Sequence, residues 1–451
     1  MTGNPAGTDA AEASRVLAAA AASERLRIVA TLIRLTGDWD LSEDCFQDAV
    51  ARALTSWPER GIPGNPGAWL TAVSRNLAID ALRRVSADRR TARRYAVESA
   101  IDAQERRTAA SGGDGMDTSA GTADDGALDD DRLRLIFTCC HPTLAMEARV
   151  ALTLRTVMGL SVGETAHAFL VTEQTMQKRL VRARARIREA GIPYRVPPPA
   201  LLPERTSGVL AVLYLLFTEG YSSGSGAELV RSPLAEEAIR LTRLVVALTR
   251  HSPQRPEALG LLALELFQQS RAAARVDAEG DLVLIEDQDR RLWDRAAIAE
   301  GVAVLAAAEE ERRRLGAAAG RYELEARIAA HHATAPTAAA TDFPRIAALY
   351  ARLGRISPSP VVGLNHAIAV AFADGPDAGL ALLGVLDGDA RLAGHHLLPA
   401  TRADLLRRSG RLADALPHYL HALELAPSDP ERRFLRRRIH ELRAASRPPR
   451  D

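Results

Sequence analysis

Residues 160–188 carry the polar and basic side chains with the most specific spacing in this chain. Ser161 followed three residues later by Glu164 is the spacing of a capping box, which predicts the start of a short helix. Thr172 can cap a second helix after a short break. Two short helices joined by a tight turn predict a helix-turn-helix, whose second helix enters DNA. The side chains of that second helix suited to contacts with bases or phosphates are Gln174, Thr175, Gln177, Lys178, Arg179 and Arg182.

The basic run that begins at Lys178 has a second interpretation. A charge run on a helix is often only a solvated face, and the run alone does not favour DNA over solvent. The capped first helix and the turn before the run are what favour DNA. The turn is a departure from many such motifs, because residues 169–171 are Phe, Leu and Val and include no glycine. Leu180, Val181 and Ile187 are left for packing.

The composition predicts a helical protein of several domains. The chain has 451 residues, which is enough for two to four domains. Aromatic residues make up only 4% of it, and segments rich in Ala, Leu, Arg and Glu favour an all-α fold. The formal net charge is +1, so any attraction to DNA has to come from local basic patches.

Cysteine content and hydropathy favour a cytoplasmic location. Three cysteines are too few for a disulfide scaffold and suit a reducing compartment. Cys139, Cys140 and His141 have no second ligand pair at metal spacing, so they are more typical of core side chains than of a metal site. The longest apolar run, residues 209–217, is far shorter than the roughly 20 residues that span a bilayer. We therefore expect no membrane contact, no metal and no cofactor.

The first module is predicted to contain three helices. Apolar residues recur at helical spacing over 12–35, and an acidic start at 40–44 predicts a second helix that runs to about Trp57. A loop rich in Pro and Gly follows at 58–67. Asn65 then predicts the cap of a third helix, which runs to about residue 84.

The third helix also has polar side chains that lie outside its apolar stripe. These are Arg75, Asn76, Arg83 and Arg84. Aromatic side chains can stack on unpaired bases while arginines hold phosphates, so this helix and the loop before it suit melted DNA. Trp69 is the aromatic side chain concerned, although a core position explains it equally well.

A linker separates this module from the helix-turn-helix. Residues 111–125 are rich in Gly, Ser and Asp, which predicts a flexible segment after a charged helix at 89–107. Three aspartates at 129–131 head a helix that runs to about residue 138, and a helix at 147–158 leads into the helix-turn-helix.

Three segments in this order resemble extracytoplasmic-function (ECF) sigma factors of bacterial RNA polymerase. They are DLSEDCFQDAV at 40–50, the helix at 69–84 that ends in IDALRR, and the helix-turn-helix at 160–188. The resemblance covers residues 12–190. Two departures are Val50, where an aromatic residue is common, and an interdomain linker that is longer than usual.

The resemblance implies roles for the residues that match. Asp44, Gln47 and Asp48 would dock on the β′ clamp of core RNA polymerase, and the β flap is a second expected polymerase contact. The loop after the second helix would capture a flipped base of the minus-ten element. The second helix of the helix-turn-helix would enter the major groove at the minus-thirty-five element. The expected DNA contacts of the loop and the third helix are Trp57, Asn65, Trp69, Arg75, Asn76, Arg83 and Arg84.

About 260 residues follow the helix-turn-helix. The prolines at 193–203 predict a stiff connector, and the apolar run at 209–217 predicts a helix that is buried all round. Residues 276–294 predict one small hairpin, and their carboxylates are better explained by a polar loop than by a metal site. Residues 410–427 have Gly, Leu, Ala, Tyr, Ala and Pro at the offsets of the second half of a tetratricopeptide repeat (TPR), with a degenerate relative at 364–383.

These observations predict an all-α chain with five parts. They are sigma region 2 at 12–95, a flexible linker at 96–128, sigma region 4 at 129–192, a helical extension domain at 193–335 and TPR-like helical repeats at 336–445. The sequence resembles the ECF subgroup with a large C-terminal extension.

The leading hypothesis is therefore a sigma factor that binds core polymerase and promoter DNA. The extension would regulate this activity in cis, through an intramolecular contact with the sigma domains. The alternative is a helix-turn-helix regulator with a TPR-like protein- or ligand-sensing domain. An enzyme has little support, because we find no glycine-rich phosphate loop, no paired metal ligands and no catalytic residues.

Overall fold

The computed structural model divides the chain into two compact units, Met1–Pro197 and Pro198–Asp451. It describes residues 5–84, 134–157, 159–169, 171–192, 194, 196–198, 200–221, 232–277, 281–389, 391–392, 394–426 and 428–445. The regular structure of these residues is helical, apart from one isolated antiparallel bridge between Val276 and Leu282. The predicted all-α fold is confirmed. The predicted linker and the charged helix before it lie outside the described residues.

The first unit begins with three helices: α1 (Pro5–Thr36), α2 (Trp39–Arg60) and α3 (66–84). Asp38 caps α2, since its side chain accepts hydrogen bonds from the backbone N–H groups of Asp40 (2.9 Å) and Leu41 (3.1 Å). The predicted loop at 58–67 starts three residues late, because Pro58 lies in the last turn of α2. That turn closes when the Gly61 N–H donates to the Trp57 carbonyl at 3.0 Å, and Gly61 takes a left-handed φ of 84°.

Four further helices complete the described part of this unit: α4 (134–139), α5 (Met146–Leu152), α6 (Val162–Ala168) and α7 (Glu173–Glu189). The predicted capping box is confirmed, because the Glu164 N–H donates to Ser161 Oγ (3.0 Å) and the Ser161 N–H donates to Glu164 Oε2 (2.7 Å). Thr172 also caps α7, accepting from the Thr175 N–H. The helix predicted at 147–158 ends earlier, and a wider π-helical turn (Thr153–Val157) follows it.

The described residues of the second unit form eleven α-helices. They are α8 (Leu202–Tyr221), α9 (Ser232–Leu248), α10 (Arg255–Gln269), α11 (Arg295–Arg314), α12 (Arg321–Thr334), α13 (Phe343–Ile356), α14 (Pro360–Asp374), α15 (Pro376–Val385), α16 (Leu397–Arg408), α17 (Leu412–Leu425) and α18 (Asp429–Ala445).

The central helix of the first part of this unit is α10, which is buried from Ala258 to Phe267. Its Gly260 allows the backbone of α12 to come close, since a Cβ there would lie 2.6 Å from the Glu323 nitrogen. The prediction that 209–217 is buried all round is wrong, because Leu215 in α8 is 40% exposed. The apolar run therefore belongs to a helix with one solvent-facing side.

The last seven helices, α12 to α18, pack against their neighbours around three successive apolar clusters. One cluster joins α12 to α14, the next joins α14 to α16, and the last joins α16 to α18. Ala415, Tyr419 and Ala422, which carried the repeat prediction, are all buried in the last cluster. Such a stack is the arrangement of helical repeats, and the TPR-like assignment stays a prediction. Of the predicted hairpin, the structure shows the single bridge between Val276 and Leu282.

Candidate nucleic-acid interface

The two sides of α7 differ sharply in burial. Met176, Leu180 and Ile187 are buried, which holds the helix against its own module. Val181, which was predicted to pack, is 59% exposed, so that prediction is wrong. The predicted DNA-binding side chains that lie exposed are Gln174, Thr175, Gln177, Lys178 and Arg182. The sequence therefore placed five polar groups on the accessible side of this helix.

Arg179 is half-buried because it lies on an aromatic ring. Its guanidinium carbon lies 5.2 Å from the ring centroid of Phe169 in the turn before α7. A cation over an aromatic face is held in place by the ring quadrupole. Phe169, which looked like a departure from the motif, thus orients a basic side chain of the helix.

The predicted melted-DNA surface is only partly accessible. Arg75, Asn76, Arg83 and Arg84 are exposed on α3. Asn65 is exposed too, and its Oδ1 accepts the Ala68 N–H at 3.0 Å, which makes it the cap of α3.

Trp57 is the predicted DNA contact that the structure places in the core. It is 3% exposed and packs edge-on against Trp69, with ring centroids 5.6 Å apart and planes at 74°. Trp69 is half-buried, so it is the member of this pair with free surface. The placement of Trp57 corrects the sequence prediction, because a buried indole cannot stack on a base.

An acidic face of α2 remains open. Asp44, Gln47 and Asp48, the predicted polymerase-binding residues, are all exposed. The pKa of Asp44 is raised by partial burial and by the nearby carboxylates of Asp40 and Asp48. These carboxylates repel one another, and a basic surface would relieve that repulsion.

Glu43, the residue before Asp44 on α2, is buried and joins the two modules of this unit. Its buried carboxylate pairs with Arg25 of α1, with Arg155 of the π-helical turn (2.8 Å) and with Arg184 of α7 (3.0 Å). Arg184 also donates to Asp40 at 2.5 Å. The first turn of α2 is therefore bonded to the C-terminal half of α7.

The arginines determine the charge state of Glu43. Burial raises the pKa of this carboxyl, but Arg25, Arg155 and Arg184 together outweigh burial, and the pKa is lowered. Sequence analysis missed this cluster. One signal was present, because Glu43 lies at helical spacing from the buried Trp39, Phe46 and Ala49, where a solvated carboxylate is not expected.

Comparison with known families agrees with this geometry. A family described as "Sigma-70 region 2" matches residues 22–88, and one described as "Sigma-70, region 4" matches residues 134–187. A third, described as "Family of unknown function (DUF6596)", matches residues 205–309. The chain belongs to the ECF sigma factors with a C-terminal extension. Sigma domains of these families imply interaction with RNA polymerase and promoter DNA, and this sigma factor is assigned to promoter-directed transcription.

One known protein is similar to this chain over nearly its whole length. The "Uncharacterized protein R00370" of Rhizobium meliloti (strain 1021) is 42% identical over 425 residues, which cover 94% of this chain and 95% of that protein. No solved structure matches the sigma factor at a significant level. None of the helices in the described part of the chain has the length and apolar character needed to cross a membrane.

Proposed function

We propose that this sigma factor binds core RNA polymerase through the exposed acidic face of α2 and directs initiation at specific promoters. The observation that supports this proposal is the exposure of Asp44, Gln47 and Asp48 on α2, where partial burial and nearby carboxylates raise the pKa of Asp44. The β′ clamp is the proposed partner of this face, and α3 and α7 would contact the minus-ten and minus-thirty-five elements. We further propose that residues 198–451 regulate this activity in cis.

Charge reversal on α2 tests polymerase binding. The double variant Asp44→Arg/Asp48→Arg should lose co-purification with core polymerase, because a basic helix face would repel a basic surface. Glu59→Arg is the matched control, since Glu59 is an exposed carboxylate near the other end of the same helix. Retained binding by the double variant, with unchanged helix content by circular dichroism, would contradict the proposal.

Promoter binding also requires regions 2 and 4 to separate. Elements centred about 25 base pairs apart lie roughly 85 Å apart along B-DNA at 3.4 Å per base pair. Arg184 of α7 bonds Asp40 and Glu43 of α2, so α3 and α7 cannot reach both elements while these bonds are intact. We infer that the Glu43 ion pairs hold a compact form that opens before initiation.

A further inference from the structure

The second unit contains a cavity of about 660 Å³ that none of the proposed promoter or polymerase contacts uses. Side chains of α12 to α14, of α16 to α18 and of the loop at 281–290 line it. Small-molecule sites in proteins are concave, mostly apolar and commonly 300–1,000 Å³ in volume. The cavity has the size and the wall of such a site.

Aromatic side chains form one wall of the cavity. Phe343 and Phe372 are stacked, with ring centroids 4.4 Å apart and planes at 13°. His332 meets Phe343 edge-on at 5.8 Å. Phe372 is still 37% exposed, so it presents apolar surface to whatever enters. Leu284 and Ile368 extend the apolar lining.

The carboxylates at the cavity are already paired. Arg408 donates to Asp404 Oδ2 through Nε at 2.6 Å and also pairs with Glu286. Glu431 lies 3.4 Å from the His396 imidazole. Arg408 therefore offsets the charges of Asp404 and Glu286, and Glu431 also accepts a hydrogen bond from Ser428 Oγ at 2.9 Å.

Arg290 differs from the other charged residues at the wall. Its Nη1 donates to the backbone carbonyls of His332 and Ala335, both at 2.8 Å, and its guanidinium lies over the Trp293 ring at 4.3 Å. Within the described part of the chain, no carboxylate lies within ion-pair distance of it. The pKa of Arg290 is lowered by burial and by the positive charges of Arg271 and Arg295.

The same positive field acts on His332. Burial and the charges of Arg271 and Arg290 lower the pKa of His332 to about 4, so the imidazole is neutral at pH 7. A positive guanidinium beside a neutral imidazole, with no acidic partner, attracts an anion.

The loop at 281–290 lines part of this cavity and is tied to neighbouring helices. It is held to α16 by the Glu286–Arg408 pair and to α18 by pairs from Asp281 to Arg433 and Arg437. Partly exposed ion pairs of this kind contribute little stability each. The other end of the loop is held by Arg290, which donates to the backbone carbonyls of His332 and Ala335.

We propose that this cavity binds an apolar organic acid, with the carboxylate on Arg290 and the hydrocarbon body against Phe372, Leu284 and Ile368. The proposal does not depend on the sigma-factor function, because the cavity lies entirely within residues 282–435. Binding is measured without polymerase or DNA, so failure of one proposal leaves the other intact.

Calorimetric titration of the full chain with octanoate, 1-octanol and acetate tests both the apolar contact and the carboxylate contact of the proposal. Octanoate should bind one saturable site. Octanol, which has the same chain without the charge, should bind at least about tenfold more weakly, as for the loss of one charged hydrogen bond. Acetate should not bind measurably. Absence of saturable octanoate binding, or equal binding of octanol, would overturn the proposal.

Two variants assign the binding to this cavity. Arg290→Gln should weaken octanoate about tenfold or more, whereas Arg290→Lys should restore part of the affinity. The matched control is Arg291→Gln, since Arg291 is 90% exposed and pairs with Asp289. Thr401→Trp fills the cavity from α16 without touching Arg290 and should abolish binding even if Arg290→Gln unfolds. Unchanged octanoate affinity in a folded Arg290→Gln or Thr401→Trp protein would refute the site.

Discussion

Glu43 is the single residue on which the compact form of the first unit most depends. Removing one partner of a buried ion-pair cluster costs roughly 3–5 kcal/mol, because the remaining charges stay buried. Glu43→Gln should lower the free energy of unfolding of the first unit by about that amount. Urea unfolding followed by tryptophan fluorescence measures it, since Trp39, Trp57 and Trp69 lie in this unit. Asp48→Asn is the control and should change stability by under about 0.5 kcal/mol.

The same residue predicts an acid dependence. The pKa of Glu43 is lowered in the folded protein, so its contribution is complete above the unfolded value of 4.5. That contribution should be lost as the pH falls through the lower folded pKa. From pH 6 to pH 3 the free energy of unfolding should fall in both proteins. The fall should be smaller in Glu43→Gln, by the contribution that the Glu43 ion pairs make in the original protein. Equal pH profiles for the two proteins would exclude this role.

At this scale, sequence reasoning identified exposed polar groups better than buried ones. Asp44 was assigned from the family resemblance and Gln174 from the helix-turn-helix pattern, and both are exposed. Trp57 was misassigned and Glu43 was missed, because the partners that bury them, Trp69 and Arg184, are distant along the chain. Spacing within one helix gives no information about such partners.

The element α7 has two functions in this proposal, and substitution separates them. Lys178→Ala and Arg179→Ala remove positive charges, so they should weaken duplex binding on all sequences and flatten its salt dependence. Gln174→Ala and Thr175→Ala should instead change the preferred base by about 1–3 kcal/mol. Binding titrations on a promoter library at several salt concentrations distinguish these effects. Val181→Ala, an exposed apolar control on the same helix, should leave both unchanged.

Helix caps were predicted well, whereas some helix ends and the helix environments were predicted less well. The caps at Ser161 and Thr172 are local hydrogen bonds between residues three apart, so the sequence contains all the information needed. The burial of α10 depends on four neighbouring helices and on Gly260, which no local pattern specifies. For the apolar run at 209–217 the burial was overestimated, because its apolar composition gives no sign that Leu215 faces solvent.

At the scale of the whole molecule, the extension is larger than the sigma module. We propose that its regulation in cis acts on the opening of the compact form of the first unit. The ion pairs of Glu43 and Arg184 lie within residues 1–197. Removing the extension therefore leaves these ion pairs between regions 2 and 4 in place. A chain cut after Tyr194 should stay compact and should lose whatever help the extension gives to opening.

Run-off transcription with core polymerase at matched protein concentrations tests this expectation. The chain cut after Tyr194 should give much less transcript than the full chain. Adding Arg184→Gln to the cut chain should restore part of the yield, because Arg184 bonds both Asp40 and Glu43 across the two modules. Arg186→Gln is the matched control, since Arg186 is exposed on the same helix. Equal transcript from the cut and full chains would show that the extension does not act on initiation, and it would then serve as a binding domain alone.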